Sequence, residues 1–114
     1  YNSKKSLIDS AKDYVHRNYR SVDLGLDDTC KELGVSNSYF SSLFKKETGS
    51  SFVEYLTDYR MDKAARMLVE TDDNSYVIAQ NVGYADPNYF SYVFKRKYGV
   101  SPSRYRTEYE KNKV

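Results

Sequence analysis

Two stretches of the sequence repeat a set of polar side chains at the spacing of one helix face. The positions are i, i+3, i+4 and i+7, and they hold Ser38, Ser41, Ser42 and Lys45 in one stretch and Asn88, Ser91, Tyr92 and Lys95 in the other. Hydroxyl groups can donate or accept hydrogen bonds at base edges, and an asparagine amide suits adenine. Lysines suit phosphates, which dominate the affinity of proteins for nucleic acids. These residues therefore favour recognition of the edges and backbone of a nucleic acid.

The two polar faces belong to a longer internal repeat. Residues 37–55 match residues 87–105 at an offset of 50. The identical pairs are Tyr39/Tyr89, Phe40/Phe90, Ser41/Ser91, Phe44/Phe94, Lys45/Lys95, Gly49/Gly99, Ser51/Ser101 and Tyr55/Tyr105. Upstream, Gly34 matches Gly83 at an offset of 49, so each copy is a short helix, a glycine turn and a longer helix. This order is typical of a helix-turn-helix unit.

The charges are distributed unevenly along the chain. The net charge is only +2, so affinity for a polyanion depends on where the charges lie. Residues 87–98 contain Lys95, Arg96 and Lys97 and no acid, a charge of +3, whereas residues 50–85 contain six acids and three bases, a charge of −3. Lysines near a helix C-terminus also complement the helix dipole. That effect explains one or two lysines, but a cluster in both copies favours phosphate binding.

Helical periodicity and capping residues predict an all-α chain of about seven helices without a sheet. The predicted helices lie at about 3–19, 26–33, 52–70, 75–82 and 102–110, with two more between Ser36 and Gly49 and between Asp86 and Gly99. The predicted N-caps are Ser36, Asn74, Asp86 and Ser101, with a capping box at Ser51 and Glu54. The apolar stripe of the longest helix is predicted to be Val53, Leu56, Ala64, Met67 and Leu68. We therefore expect a first helix-turn-helix subdomain at 1–51, a linker helix at 52–70 and a second subdomain at 71–114.

The sequence contains no set of side chains that suits catalysis or metal binding. Cys30 is the only cysteine and His16 the only histidine, so neither a cysteine zinc site nor a Ser/His/Asp triad is expected. The acids of the long helix could suggest a metal site, but we interpret them as a solvated face shared with Arg60, Lys63 and Arg66. No signal peptide or membrane-length apolar run is recognised. We expect a cytoplasmic domain that is not an enzyme and needs no cofactor.

Two long segments resemble the AraC/XylS family of transcription regulators. Residues 34–49 resemble the first helix-turn-helix of that family, and residues 78–95 and 99–106 resemble its second signature. The opening helix is most similar to the C-terminal output domain of bacterial two-component response regulators. The resemblance implies two helix-turn-helix units joined by one long helix, and recognition helices in successive major grooves of double-stranded DNA. It also implies a receiver or sensor domain N-terminal to this chain.

The candidate site residues divide into two groups. The predicted base-reading residues are Ser38, Ser41, Ser42, Asn88, Ser91 and Tyr92. The predicted phosphate contacts are Ser36, Asn37, Lys45, Lys46, Lys95, Arg96, Lys97 and Ser101. Ser42 and Tyr92 stand where the family often has arginine, so the preferred DNA sequence is expected to differ. Half-sites are expected about one helical turn apart, ~34 Å.

The expected partners follow from this interpretation. Double-stranded DNA is the main partner, with RNA polymerase as a further candidate and no membrane. We expect the isolated domain to be monomeric and the full-length protein to be a candidate dimer. The alternative function is a helical protein–protein interaction module that docks a partner through the face of Ser38, Ser41 and Ser42. The alternative explanation of the repeat is a small helical bundle that arose by duplication and has no such face.

Overall fold

The computed structural model describes residues 3–113, which form seven α-helices and no strand. The helices are α1 (Ser3–Asn18), α2 (Leu26–Leu33), α3 (Asn37–Thr48), α4 (Phe52–Glu70), α5 (Ser75–Asn81), α6 (Pro87–Tyr98) and α7 (Pro102–Asn112). The predicted all-α class is confirmed, and every predicted helix boundary lies within two residues of the observed one. No helix within 3–113 combines the length and apolar character that crossing a membrane requires.

The predicted capping residues begin the helices that they were assigned to. The hydroxyl of Ser36 accepts the N–H of Tyr39 at 3.2 Å. At the start of α4, the Ser51 N–H donates to Glu54 Oε1 at 2.9 Å, and the Glu54 N–H donates to Ser51 Oγ at 3.1 Å. Asn74, Asp86 and Ser101 cap α5, α6 and α7 in the same manner. These bonds satisfy N–H groups that have no partner within the helix.

The two helix-turn-helix copies end their second helices with the same geometry. Gly49 follows α3 with φ 85° and ψ −7°, and Gly99 follows α6 with φ 81° and ψ −8°. Each glycine N–H donates to the carbonyl four residues earlier, at 2.9 and 2.8 Å. Glycine is suited to this left-handed backbone because it has no Cβ. The sequence repeat is therefore also a repeat of backbone structure.

The chain forms two compact units that divide between Asp58 and Tyr59, inside α4. In the first unit, the rings of Phe40 and Phe44 on α3 each lie 5.5 Å from the ring of Phe52 on α4. In the second unit, Phe94 on α6 lies 5.4 Å from Tyr105 on α7, edge to face. Each unit thus has an aromatic core between the second helix of its helix-turn-helix copy and the helix that follows. The three-part division into 1–51, 52–70 and 71–114 stays a prediction, and its residues 1, 2 and 114 lie outside the described range.

The internal repeat includes one further helix. Buried apolar residues recur at i, i+3 and i+7 on the helix that precedes each copy. They are Ile8, Ala11 and Val15 on α1, and Met61, Ala64 and Leu68 on α4. The C-terminal half of α4 therefore presents to the second unit the apolar spacing that α1 presents to the first.

The observed core of α4 differs from the predicted stripe. Leu56, Ala64 and Leu68 are buried as predicted, but Val53 is 58% exposed and Met67 is only half-buried. Phe52 takes the place assigned to Val53, because its ring packs against both phenylalanines of α3, which also contact each other. At the N-terminus of α4 the buried position is therefore residue 52 and not residue 53.

Arg60 corrects the interpretation of the acidic face of α4. It was expected among solvated cations, but it is 7% exposed, and its guanidinium lies 5.5 Å from the centre of the Tyr84 ring. Burial lowers the pKa of Arg60, and the Tyr84 hydroxyl counteracts this shift. Arg60 therefore packs against the turn between α5 and α6 and is not part of a solvated face of α4.

Arg106 fastens α7 to the end of α4. Its Nε donates to the Leu68 carbonyl at 2.8 Å, and its Nη2 donates to the carbonyls of Thr71 at 3.0 Å and Asp73 at 2.6 Å. The carbonyls at a helix C-terminus lack partners within the helix, and the planar guanidinium can satisfy several of them at once. This side chain fixes the turn that leads into the second helix-turn-helix.

Two side-chain hydrogen bonds hold α1 in the first unit. The Tyr14 hydroxyl donates to Asp28 Oδ2 on α2 at 2.9 Å, and this bond raises the pKa of Tyr14. Nε2 of His16 lies 2.8 Å from the Tyr55 hydroxyl on α4. The single histidine of the chain is an exposed residue whose ring links α1 to α4 through Tyr55.

Candidate nucleic-acid interface

The polar face of α3 points to solvent. Ser38, Ser42 and Lys45 are exposed, and Ser41 is half-buried. The opposite face is the core, because Phe40, Leu43 and Phe44 are 0–7% exposed. The packing of the phenylalanines thus orients the four polar positions outward.

The polar face of α6 has the same pattern of exposure. Asn88, Tyr92 and Lys95 are exposed, and Ser91 is half-buried. Phe90 and Phe94 are completely buried on the opposite side. Each residue of this face therefore has the exposure of its counterpart 50 positions earlier. The structure brings each predicted base-reading set onto one outward face.

The remaining candidate phosphate contacts lie around these faces. Lys46 and Arg96 are exposed near the ends of their helices, and Asn37 is exposed at the start of α3. Ser36 and Ser101 occupy the cap positions, where each hydroxyl already accepts a backbone N–H. Their O–H protons remain the groups that could donate to a phosphate.

Lys97 makes its main contact inside the second unit. Its Nζ lies 2.7 Å from Asp62 Oδ1 on α4, and its side chain is 28% exposed. The Tyr98 hydroxyl donates to the same carboxylate oxygen at 2.7 Å. Burial alone would raise the pKa of Asp62, but the bonds from Lys97 and Tyr98 outweigh it and lower that pKa. The phosphate role of Lys97 stays a prediction, in which Nζ binds the phosphate in addition to Asp62 or in its place, since an ammonium group has three donors.

Exposed aromatic rings border the face of α6. The rings of Tyr89 and Tyr92 are stacked at 6.3 Å and are 56% and 57% exposed. The guanidinium of Arg96 lies 5.7 Å from the centre of the Tyr92 ring. Tyr92 and Arg96 were predicted separately as DNA contacts, and the spacing 89, 92 and 96 places all three residues on one side of a helix. Tyr92 is therefore held between a ring and a cation.

A shallow depression of about 360 Å³ borders the face of α3. It is lined by Lys4, Ser38, Tyr39, Ser42, Leu43 and Lys46. Of these six residues only Lys4 lies on α1, and it is not among the predicted DNA contacts. No local pattern could have found it, because 34 positions separate Lys4 from Ser38 and only the packing of α1 brings the two together.

Other chemistry is not supported by the described residues. Within 3–113, no group of three or more His, Cys, Asp or Glu side chains is placed to hold a metal ion. Cys30 is buried, and burial raises the pKa of its thiol. A thiol that stays protonated is a poor nucleophile, so Cys30 is a packing residue of α2.

Comparison with known proteins identifies the helix-turn-helix architecture. Residues 29–108 match a family model described as a helix-turn-helix domain. The lactose operon transcription activator of Staphylococcus xylosus is 36% identical over 80 residues, which are 70% of this chain and 28% of that protein. The chain thus spans less than a third of the length of this relative.

Solved structures share the complete fold. The C-terminal domain of AraT, a response regulator from Geobacillus stearothermophilus, is 39% identical with a TM-score of 0.88, covering 90% of this chain and 84% of that one. The DNA-binding domain of AdpA, solved in complex with a target DNA, has a TM-score of 0.87 at 22% identity, covering 93% of this chain and 95% of that one. At that identity the likeness concerns the fold alone.

Proposed function

Because the chain belongs to the AraC family of helix-turn-helix DNA-binding domains of transcription regulators, we propose that it reads a specific double-stranded DNA site with α3 and α6. The family binds DNA and is not enzymatic. The observation that carries the proposal is the pair of matched outward faces, in which each polar position has the same exposure as its counterpart in the other copy. A recognition helix presents its early residues to base edges in the major groove.

The proposed roles follow the order of residues along each helix. Base edges are read by Ser38, Ser41 and Ser42 on α3 and by Asn88, Ser91 and Tyr92 on α6. Phosphates are bound by Ser36, Asn37, Lys45, Lys46, Lys95, Arg96, Lys97 and Ser101. Asn88 is the most discriminating of these, because its amide can form a bidentate pair with adenine. Serine hydroxyls discriminate less, since they accept and donate with equal ease.

The two helices are proposed to enter successive major grooves on one face of the DNA. We further infer that this domain is the output part of a longer regulator, which carries a receiver or sensor domain and works in the cytoplasm, where its DNA lies. Support comes from the likeness to the C-terminal domain of a response regulator. RNA polymerase and a second copy of the full-length protein are the further partners proposed, and the isolated domain is proposed to be monomeric.

Selection of bound duplexes from random DNA tests this function. The expected result is enrichment of one bipartite sequence. If no duplex retains the domain, at low as well as at high salt, the proposal is refuted and the protein-interaction alternative is favoured.

Asn88→Ala tests the direct reading of bases. We expect it to cost ~1–3 kcal/mol at one base pair of the selected site and little at the others. The measurement is a titration of all single-base variants of the site. The matched control is Asn112→Ala, which removes the same amide from α7. A uniform loss over all site variants would contradict base reading by Asn88.

A further inference from the structure

We propose that Lys4 on α1 is a DNA contact, and that it binds a backbone phosphate of the first half-site together with Lys46, beside the stripe of α3 on which Ser38 and Ser42 read bases. The inference rests on the proposed function and extends the interface to a helix outside the helix-turn-helix unit. The ligand proposed for the depression beside α3 is a phosphodiester oxygen of the DNA backbone.

The depression has the composition of an anion site. Two of the six described side chains that line it are cations, and two are serines on the same stripe of α3 as Lys46, at i, i+4 and i+8. Ammonium and hydroxyl groups are strong donors to phosphate oxygens. Lys4, Ser38, Ser42 and Lys46 are all exposed, so a ligand from solvent can reach them.

Among the residues that the structure describes, no acidic side chain lines this depression. Asp9 and Asp13 of α1 line a different surface depression, together with Lys5. Glu47 follows Lys46 in sequence but is not among the lining residues. The local charge that a phosphate would meet is therefore positive, although the chain as a whole is near neutral.

The differences between the two repeats point to the same role. α6 ends with Lys95, Arg96 and Lys97, whereas the corresponding positions of α3 are Lys45, Lys46 and Glu47. The third cation of the second unit is thus an acid in the first. In the repeat that pairs Val15 of α1 with Leu68 of α4, the position of Lys4 corresponds to Thr57. Lys4 therefore places a second cation beside Lys46 at the face of α3, in the unit that has Glu47 where the other has Lys97.

The test is the salt dependence of binding to a duplex that contains both half-sites selected from random DNA. Removing one phosphate contact lowers the slope of log K against log salt by about one and weakens binding about fivefold to tenfold at 0.1 M salt. We expect this change for Lys4→Ala and near wild-type behaviour for Lys4→Arg, which keeps the charge. Binding to a duplex with only the second half-site should not respond to Lys4→Ala.

Arg17→Ala is the matched control. It removes one positive charge from the same helix, roughly 20 Å along the axis from Lys4, and Arg17 is paired with Asp13. Its slope should equal that of the wild type. An unchanged slope for Lys4→Ala, or equal effects of both variants, would overturn the inference.

A third variant separates this inference from the proposed function. If Lys95→Ala lowers the slope while Lys4→Ala does not, only the role of Lys4 is refuted. If neither variant changes the slope, DNA binding through these faces is refuted as a whole. Circular dichroism verifies that each variant is folded.

Discussion

Two lysines of α6 differ in what they contact, and that difference bears on how DNA is bound. Lys95 is exposed on the polar face, whereas Lys97 holds Asp62 at 2.7 Å. We expect Lys95→Ala to weaken binding to all sequences and to lower the salt slope by about one. Lys97→Ala should lower it by less, because Asp62 already neutralises part of the charge of Lys97. Binding titrations at several salt concentrations measure both slopes.

The ranking of the two slopes decides the assignment. A larger change for Lys97→Ala than for Lys95→Ala would show that Lys97 is the principal phosphate contact. An unchanged slope for Lys95→Ala would remove Lys95 from the phosphate role.

Thr29 offers a prediction about stability at the same scale. Its side chain is completely buried in α2, and within the described residues Oγ1 has no hydrogen-bond partner. An unsatisfied buried hydroxyl costs free energy that an apolar group of the same shape does not. We expect Thr29→Val to raise the free energy of unfolding by about 1 kcal/mol, as measured by urea denaturation.

The matched control for this change is Thr48→Val. Its Oγ1 donates to the Phe44 carbonyl at 2.7 Å, so the same substitution should lower stability. A loss of stability in both variants would mean that the Thr29 hydroxyl is satisfied in solution.

At the scale of elements, the bond network of Asp62 joins α4 to α6 and makes their packing dependent on pH. The pKa of this carboxyl is lowered in the folded protein, because bonds from Lys97 and Tyr98 outweigh the effect of burial. Stabilisation by a depressed carboxyl is complete above its unfolded pKa of about 3.9 and is lost as the pH falls through the folded value. Asp62→Asn should therefore destabilise the domain more at pH 7 than at low pH.

Urea unfolding at pH 7 and at acidic pH checks this expectation. Asp72→Asn, which alters an exposed turn, is the control for the general effect of removing a carboxylate. If Asp62→Asn costs the same free energy at every pH, the carboxylate contributes no charge-dependent stability.

The sequence allowed the elements to be predicted well because their ends carry local chemistry. A capping serine or a left-handed glycine acts within four residues, so Ser36 and Gly49 could be assigned without knowing the fold. The orientation of α4 was predicted less well, since Phe52 and Val53 are both apolar and only contact with Phe40 and Phe44 decides which of them is buried.

Residues whose surroundings come from several helices were also harder to predict from the sequence than residues on one helix. The outward faces of α3 and α6 were predictable from helical spacing, because each lies within one helix. Arg60 and Lys4 were not, because their surroundings come from helices distant in sequence: Tyr84 follows α5, and Ser38 lies on α3. Features that depend on one helix are readable from sequence, and features that depend on the packing of several helices require the structure.

For the whole molecule, the spacing of the two half-sites is the central prediction. We expect them about one helical turn apart, ~34 Å. Inserting five base pairs between them turns the second half-site to the opposite side of the duplex and should abolish bipartite binding. A duplex with five base pairs added outside the site is the control, and competition titrations measure the difference. Undiminished affinity for the spaced site would contradict a fixed spacing.

The position of α4 has a consequence for any attempt to divide the protein. Its first turns supply Phe52 to the core of one unit, and its last turns supply Leu68 to the other. A cut that removes Leu56 or Met61 from its own unit, on either side of the boundary between Asp58 and Tyr59, opens the interior of that unit to water. A fragment that stops at residue 51, or one that starts at residue 71, is stripped of apolar cover that the intact chain provides. If one half is exchanged between related regulators, α4 therefore has to stay continuous. Each part of α4 also has to keep the buried residues that pack in its own unit.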